Sequence, residues 1–360
     1  MFKRSLFAWG VLILIVSAAC QFMIGEDPPS PADPGEAQAT PSASDGWYSI
    51  YFTDPQGPAS QTLRGGPDQP LAEAIRQARV SVDAAMHQLD LWSIRNALID
   101  AHRRGLQVRV VAESNYMDEA EMQDLIAAGI KVLGDRREGL MHDKFIVIDR
   151  AEVWTGSMNF SLTDTYRNNN ALLRIRSQKL AQNYTTEFEE MFIGDHFGPD
   201  TQSNTPYPRF TIDGTPIEVF FSPDDGAAQR LVELVEGAQE SIYFLAFSYT
   251  LDDLAQAMLE RARAGVTVSG VFESSQVQSN SGSEYNHLLA AGLDVRKDGN
   301  PNNMHHKTIL IDRKIVITGS FNFSYYADTR NDENLLVFYN PGMAAQFLQE
   351  FDQIFNQTKP

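Results

Sequence analysis

Cysteine is almost missing from this chain, with one, Cys20, in 360 residues. That excludes an intramolecular disulfide and any cysteine-rich metal site, so stability has to come from packed side chains. Positive charge is scarce too. Lys and Arg number 29 against 47 Asp and Glu, a formal net charge of -18, which works against a broad, sequence-independent attraction to nucleic acid phosphates. A basic stripe interleaved with aromatics is also lacking, only Arg103-Arg104 and Arg136-Arg137 standing out. Beyond the first twenty residues no apolar run is long enough to span a bilayer. The length suits two domains of ordinary size, each able to bury a core.

The chain begins with Lys3 and Arg4, an apolar stretch from Leu6 to Val16, and the small residues Ser17-Ala18-Ala19 before Cys20. A basic start, an apolar run and small residues before a cut form an export signal. The pattern resembles a bacterial lipoprotein processing site, with residues 1 to 19 removed and Cys20 lipidated as the first mature residue. Ser17 departs from it, standing where a larger aliphatic residue is more usual; an ordinary signal peptide or an uncleaved anchor is the alternative. Removal takes Lys3 and Arg4 away, leaving 27 basic against 47 acidic side chains, a net of -20. Residues 20 to 46 are rich in Pro, Ala, Ser, Gly and acid with hardly an apolar anchor, a composition that reads as a flexible stalk above a membrane surface.

The rest is written twice. His142-Asp143-Lys144 with Asp149 and His305-His306-Lys307 with Asp312 both read H-x-K-x4-D. Gly156-Ser157-Met158-Asn159 and Gly319-Ser320-Phe321-Asn322 follow at the same offset of 163. Six residue types in register demand a duplicated unit. Ahead of the motifs, helical and extended patterns alternate as Leu71 to Arg79, Val80 to Met86, Trp92 to Arg104 and Gln107 to Glu113. They recur at an offset of 160 as Ala227 to Gly237, Ser241 to Phe247, Leu251 to Ala264 and Thr267 to Glu273. Such alternation predicts an α/β fold with helices packed on a sheet. Lys144 to Ile148 and Thr308 to Ile311 are apolar on both faces, as expected of covered central strands. Closing helices carry Phe188 and Phe192, and Phe347, Phe351 and Phe355, as core residues.

Residues two apart on a strand share a face, so His142 and Lys144 point one way, as do His305 and Lys307. Asp149 and Asp312, five residues beyond the lysines, fall on the other face and are expected to brace the fold. The Gly-Ser-x-Asn turns offer hydroxyls (Ser157, Ser320) and amides (Asn159, Asn322) that could donate to an anion's oxygens. Two histidines, two lysines and two polar turns related by a pseudo-twofold axis suit a phosphodiester. One imidazole attacks phosphorus while the other protonates the leaving oxygen. The cationic and amide groups then do the charge stabilisation that a metal does elsewhere, so no metal or other cofactor is required.

These residues together resemble the phospholipase D superfamily, whose hallmark is H-x-K-x4-D with a trailing G-S-x-N, twice per active site. The resemblance covers roughly residues 47 to 358. It implies two pseudo-twofold-related α/β sandwich lobes, 47–195 and 216–360 joined by a linker 196–215, each a mixed sheet flanked by helices. One active site would lie at their interface, so a monomer suffices. It also implies a covalent phosphohistidine intermediate and a catalytic set of His142, Lys144, Asn159, His305, Lys307 and Asn322, with Asp149 and Asp312 in support. Members often carry an acidic residue after G-S-x-N that orients an imidazole. Glu333 fits, and its counterpart is Asn170. Glu333 is assigned to His142 across the interface, making His142 the nucleophile; the reverse, with His305 attacking, is the alternative. Glu113 and Glu273 end equivalent strands as entrance or capping residues, and His87 and His306 are read as structural or peripheral.

Export, a lipid anchor and net acidity favour a glycerophospholipid substrate, hydrolysed to head group and phosphatidic acid. The alternative is an exported metal-independent nuclease. A lipid synthase would need several membrane spans, and a binding module without catalysis would not keep both motifs intact.

Overall fold

A computed structural model describes residues 46–358; the expected signal segment, Cys20 and the stalk as far as residue 45 lie outside the described residues. Seven strands build the first sheet: β1 (Tyr48–Phe52), β2 (Ser81–Met86), β3 (Gln107–Ala112), β4 (Lys131–Gly134), β5 (Lys144–Ile148), β6 (Glu152–Gly156) and β7 (Ala171–Arg176). Their order is β1-β7-β6-β5-β2-β3-β4. The second sheet comprises β8 (Arg209–Ile212), β9 (Thr215–Ser222), β10 (Ser241–Ala246), β11 (Thr267–Phe272), β12 (Asp294–Lys297), β13 (Lys307–Ile311), β14 (Ile315–Gly319) and β15 (Glu333–Tyr339). It runs β12-β11-β10-β13-β14-β15-β9-β8, the same order with β8 added at one edge. Both sheets are mixed. The pairs β2–β3, β3–β4, β10–β11 and β11–β12 are parallel, and the remainder antiparallel.

Period-two side-chain alternation divides each central strand between two cores. In β5, Phe145 and Val147 face inward to a core shared with the second sheet, while Ile146 and Ile148 face the outer helices of their own lobe. In β13, Leu310 points to the shared core and Ile309 and Ile311 to the outer helices. Helices Gln178–Phe192 and Pro341–Gln357 lie in the shared layer through Tyr184, Phe188, Met343 and Phe347. On the outside, Asp68–Gln77 and Trp92–Arg103 cover the first sheet, and Ala227–Glu236 and Asp252–Arg263 the second, each with one apolar face buried. Asn334 ties the sheets together: Thr155 Oγ1 (3.1 Å) and Tyr184 Oη (3.0 Å) donate to its Oδ1, and its Nδ2 donates to Asp143 Oδ1 (2.6 Å). Among the described residues no helix is long and apolar enough to cross a membrane.

The segment expected as a linker, 196–215, is more ordered than its Pro, Ser and Thr content suggests. Phe197 is buried, the Asn183 side chain holds the backbone of Tyr207 at 2.8 Å on both sides, and residues 209–212 form β8, the edge strand of the second sheet. This four-residue strand is held by pairing with β9 and by Phe210, which is buried in the shared core, neither of which local composition reports.

Candidate active site

Each H-x-K segment enters its strand hydrogen-bonded to the other lobe. His142 N donates to Asp332 O (3.0 Å) and Asp332 N to Leu140 O (2.9 Å); His305 N donates to Asn169 O and Asn169 N to Asn303 O, both 2.9 Å. These bonds bring the two motifs together across the pseudo-twofold axis. They also deliver the residue at the head of β15 or β7 to the opposite histidine. His142 Nδ1 lies 2.7 Å from Glu333 Oε2, and His305 Nδ1 lies 3.1 Å from Asn170 Oδ1. Asn170 Oδ1 also accepts from Ser157 Oγ (2.8 Å) while Asn170 Nδ2 donates to Asp164 O (3.0 Å), which fixes the amide with its oxygen toward His305. With Nδ1 of both rings engaged, Nε2 is the nitrogen left for chemistry.

The lysines are the first residues of β5 and β13, both buried. Lys144 Nζ donates to His142 O (2.5 Å) and Lys307 Nζ to His305 O (2.7 Å), so each ammonium is anchored to the histidine of its own motif. Burial brings Lys144 down to about 8, against the pull of Glu333, Asp164 and Asp143, and brings Lys307 well below its ordinary value, Lys144 adding to the effect. The imidazoles of His142 and His305 are likewise held well below 6.5, by burial first and then by the two lysines. Burial pushes the Glu333 carboxyl up to about 8, the lysines opposing it. Asn159 and Asn322 are half-buried, and neither amide oxygen has a protein partner.

This geometry corrects what was expected of the two serines and of His87, and it shows what the two aspartates do. Ser157 and Ser320 are fully buried and accept from the backbone N–H of Ala171 (3.1 Å) and Asn334 (2.9 Å), the former also donating to Asn170, so they set the histidines' partners and do not face an anion. Asp149 and Asp312 sit at the far ends of β5 and β13, about 16 Å along the strand from the lysines at ~3.3 Å per residue. There they accept the backbone N–H groups of Arg79, Val80 and Ser81, and of Gln239, Glu240 and Ser241. They are braces and have no contact with the reacting groups. His87, read as peripheral, lies against His142 with ring centroids 4.8 Å apart and Tyr116 on its other side at 4.9 Å. Phe247 occupies the same place over His305 at 4.5 Å, with Lys307 Nζ 4.6 Å from its ring.

The remaining polar residues have structural tasks. Glu113 and Glu273 cap the turns after β3 and β11. His306 is buried behind the site with Nε2 3.3 Å from Glu350 Oε1. The glycines of both G-S-x-N turns are required: a Cβ would lie 2.2 Å from Ala171 O at Gly156 and from Asn334 O at Gly319. Sequence reasoning missed Asp164, buried in the short helix Leu162–Tyr166 with Oδ2 3.5 Å from His305 Nδ1. Its signal was available as a difference between the repeats, because its counterpart is Ala327. Among the described residues no group of three or more His, Cys, Asp or Glu side chains is placed to hold a metal ion.

A duplicated mixed-sheet lobe with one two-histidine site between the copies defines a class. The chain matches the family described as "Cardiolipin synthase, PLD-like domain" at residues 71–192 and 231–355, and it belongs to the phospholipase D superfamily. A phospholipase D of Rickettsia typhi is 33% identical over 153 residues, 42% of this chain and 74% of that protein. The mitochondrial cardiolipin hydrolase of Chlamydomonas reinhardtii is 31% identical over 139 residues, 39% of this chain. This chain spans 62% of the length of that hydrolase, so each match is about the size of one lobe. A solved phosphatidylserine synthase of Haemophilus influenzae shares the architecture across both lobes, with a TM-score of 0.66 at 15% identity over 86% of this chain and 87% of that one.

Proposed function

We propose that the chain is an exported phosphodiesterase of the phospholipase D type that hydrolyses a glycerophospholipid. The observation that carries the reading is the pair of buried imidazoles, each with Nδ1 held by an acceptor from the opposite lobe. His142 Nε2 attacks phosphorus, a P–N bond forms and the P–O bond to the head group breaks, His305 giving its Nε2 proton to the departing oxygen. A water then loses its proton to His305 and attacks phosphorus, and the P–N bond breaks to restore His142. Lys144, Lys307, Asn159 and Asn322 stabilise charge on the non-bridging oxygens. Relatives named phospholipase D and cardiolipin hydrolase support a lipid substrate, as does the acidic balance. The export pattern of residues 1 to 20 supports lipidation at Cys20 and a place at a membrane surface.

The test is a paired assay in EDTA, on the full chain expressed in a bacterial envelope: head-group release from phosphatidylcholine and cardiolipin vesicles, and degradation of single- and double-stranded DNA. Lipid turnover is expected to fall about 10³-fold or more in His142→Ala and in His305→Ala. In Cys20→Ser the activity should leave the membrane fraction. DNA cleavage without lipid turnover would replace the lipase reading with a nuclease.

A further inference from the structure

The two halves of the site are related by sequence but not by charge. His142 has its carboxylate from Glu333, at the head of β15. The equivalent position beside His305 is Asn170, an amide with no charge to offer. A carboxylate nevertheless reaches His305 from elsewhere. Asp164 Oδ2 stands 3.5 Å from His305 Nδ1 and accepts the backbone N–H of Asn159 at 2.7 Å. Asp164 Oδ1 accepts from the Asn168 side chain, and its own N–H donates to Ser161 Oγ at 3.2 Å. The carboxylate is thus clamped on both oxygens, with 3% of the residue exposed; burial raises its pKa, and the hydrogen bonds from Asn168 and Asn159 and the Lys307 and Lys144 ammonium groups oppose that rise. In the second repeat the same place is Ala327, a buried residue without a charge.

We propose that Asp164 is the positioning residue that makes His305 the general acid, so that the two halves, alike in motif, take different roles. This rests on the phosphodiesterase reading above and assigns the origin of its asymmetry. The physical reason is protonation state. A nucleophile needs a lone pair at Nε2, whereas an acid needs protons on both ring nitrogens, a cation that must be compensated in a buried site. Asn170 orients the ring by accepting from Nδ1–H, and Asp164 supplies the compensating negative charge beside it. The proton donated from His305 Nε2 goes to the leaving oxygen as the P–O bond breaks. That help matters for an alkoxide such as choline and little for p-nitrophenolate, which departs as a stable anion.

The experiment is a single-turnover comparison of dioctanoyl phosphatidylcholine with dioctanoyl phosphatidyl-p-nitrophenol on the full chain. Asp164→Asn is expected to slow cleavage of the choline ester about 100-fold and the p-nitrophenyl ester less than about 3-fold. Glu333→Gln, which acts on the attacking histidine, is expected to slow both. The double variant D164N/N170D returns a carboxylate to His305 from the neighbouring position and is expected to recover most of the choline-ester rate; Asp164→Ala, which places there the residue type of Ala327 in the second repeat, carries the same comparison of the two esters should D164N fail to fold. Equal loss of both esters in D164N, as a merely structural role would give, overturns the assignment, as does a double variant no faster than D164N. A wild-type protein inert on both esters overturns the phospholipid reading of the site, and the assignment argued for these esters with it.

Discussion

His142 and Glu333 form a pair that titrates together, and on the proposed mechanism its protonation decides whether His142 can attack. With the carboxyl pushed up to about 8 by burial, Glu333 below that pH donates its proton to Nδ1, and the remaining imidazole proton occupies Nε2. Above it, Nδ1–H donates to the carboxylate and the Nε2 lone pair is free. The single-turnover rate should therefore rise with pH up to about 8, where Lys144, itself brought down to about 8, begins to lose the charge that stabilises the non-bridging oxygens. Glu333→Gln cannot ionise, so a stopped-flow pH series on it should lack that rise and lie roughly 10–100-fold below the wild-type maximum; a rise of unchanged midpoint in the variant would rule the pair out as its source. Glu333 could be found in the sequence because it differs from Asn170 at the matching position. His87 and Asp164 differ from Phe247 and Ala327 in the same way, but differences alone do not say which way a loop turns its side chains. Their direction is set where His87 leaves β2 and where the turn after Asn159 becomes a helix.

At the scale of elements, the aspartates of H-x-K-x4-D close the β5–β6 and β13–β14 hairpins. Asp149 and Arg150, and Asp312 and Arg313, all have φ near +53°, a left-handed conformation in which a side chain other than glycine is disfavoured unless held. The carboxylate holds it by accepting three successive backbone N–H groups, which outweigh partial burial and bring Asp312 below its ordinary value. Asp312→Ala should lower the unfolding free energy by roughly 1–3 kcal/mol in urea titrations while leaving kcat and KM within about 3-fold at 20 °C. A hundred-fold loss of kcat in a protein of unchanged stability would place the aspartate in the chemistry after all. The strands and helices of the alternating pattern lie within three residues of their expected bounds, because both repeats show the same apolar periodicity. The edge strands β4, β8 and β12 fall outside that pattern, since each is only four residues long and is extended through pairing with its neighbouring strand.

Across the whole molecule, enclosing a charged site between two sheets strands many carboxyls away from water. Burial lifts Asp143 and Glu113 to about 7 and Glu333 to about 8, and holds Glu187 and Asp332 well above the ordinary range. The unfolded chain releases these protons near pH 4 to 5, so the folded state binds more protons up to about 8, and stability falls as pH rises through that interval. Buried His87, His142 and His305 act in the opposite direction, but only below 6.5, and Lys144 only above about 8; Lys307, held well below its ordinary value, opposes the carboxyls as well, but as one group against five. Between pH 6.5 and 8 the carboxyls prevail, and scanning calorimetry should record a Tm that declines by several degrees; a Tm that climbs over this window would contradict the account. Residue order by itself determined the duplication, the α/β pattern, the paired His and Lys and the superfamily, because these depend on spacing and periodicity along one strand or helix. Only the tertiary structure decided which group serves which histidine: the partners are 191 residues apart for His142 and 135 for His305. Such contacts exist only once the two sheets have packed together, and the same packing placed the serines inside and His87 and Asp164 in the site.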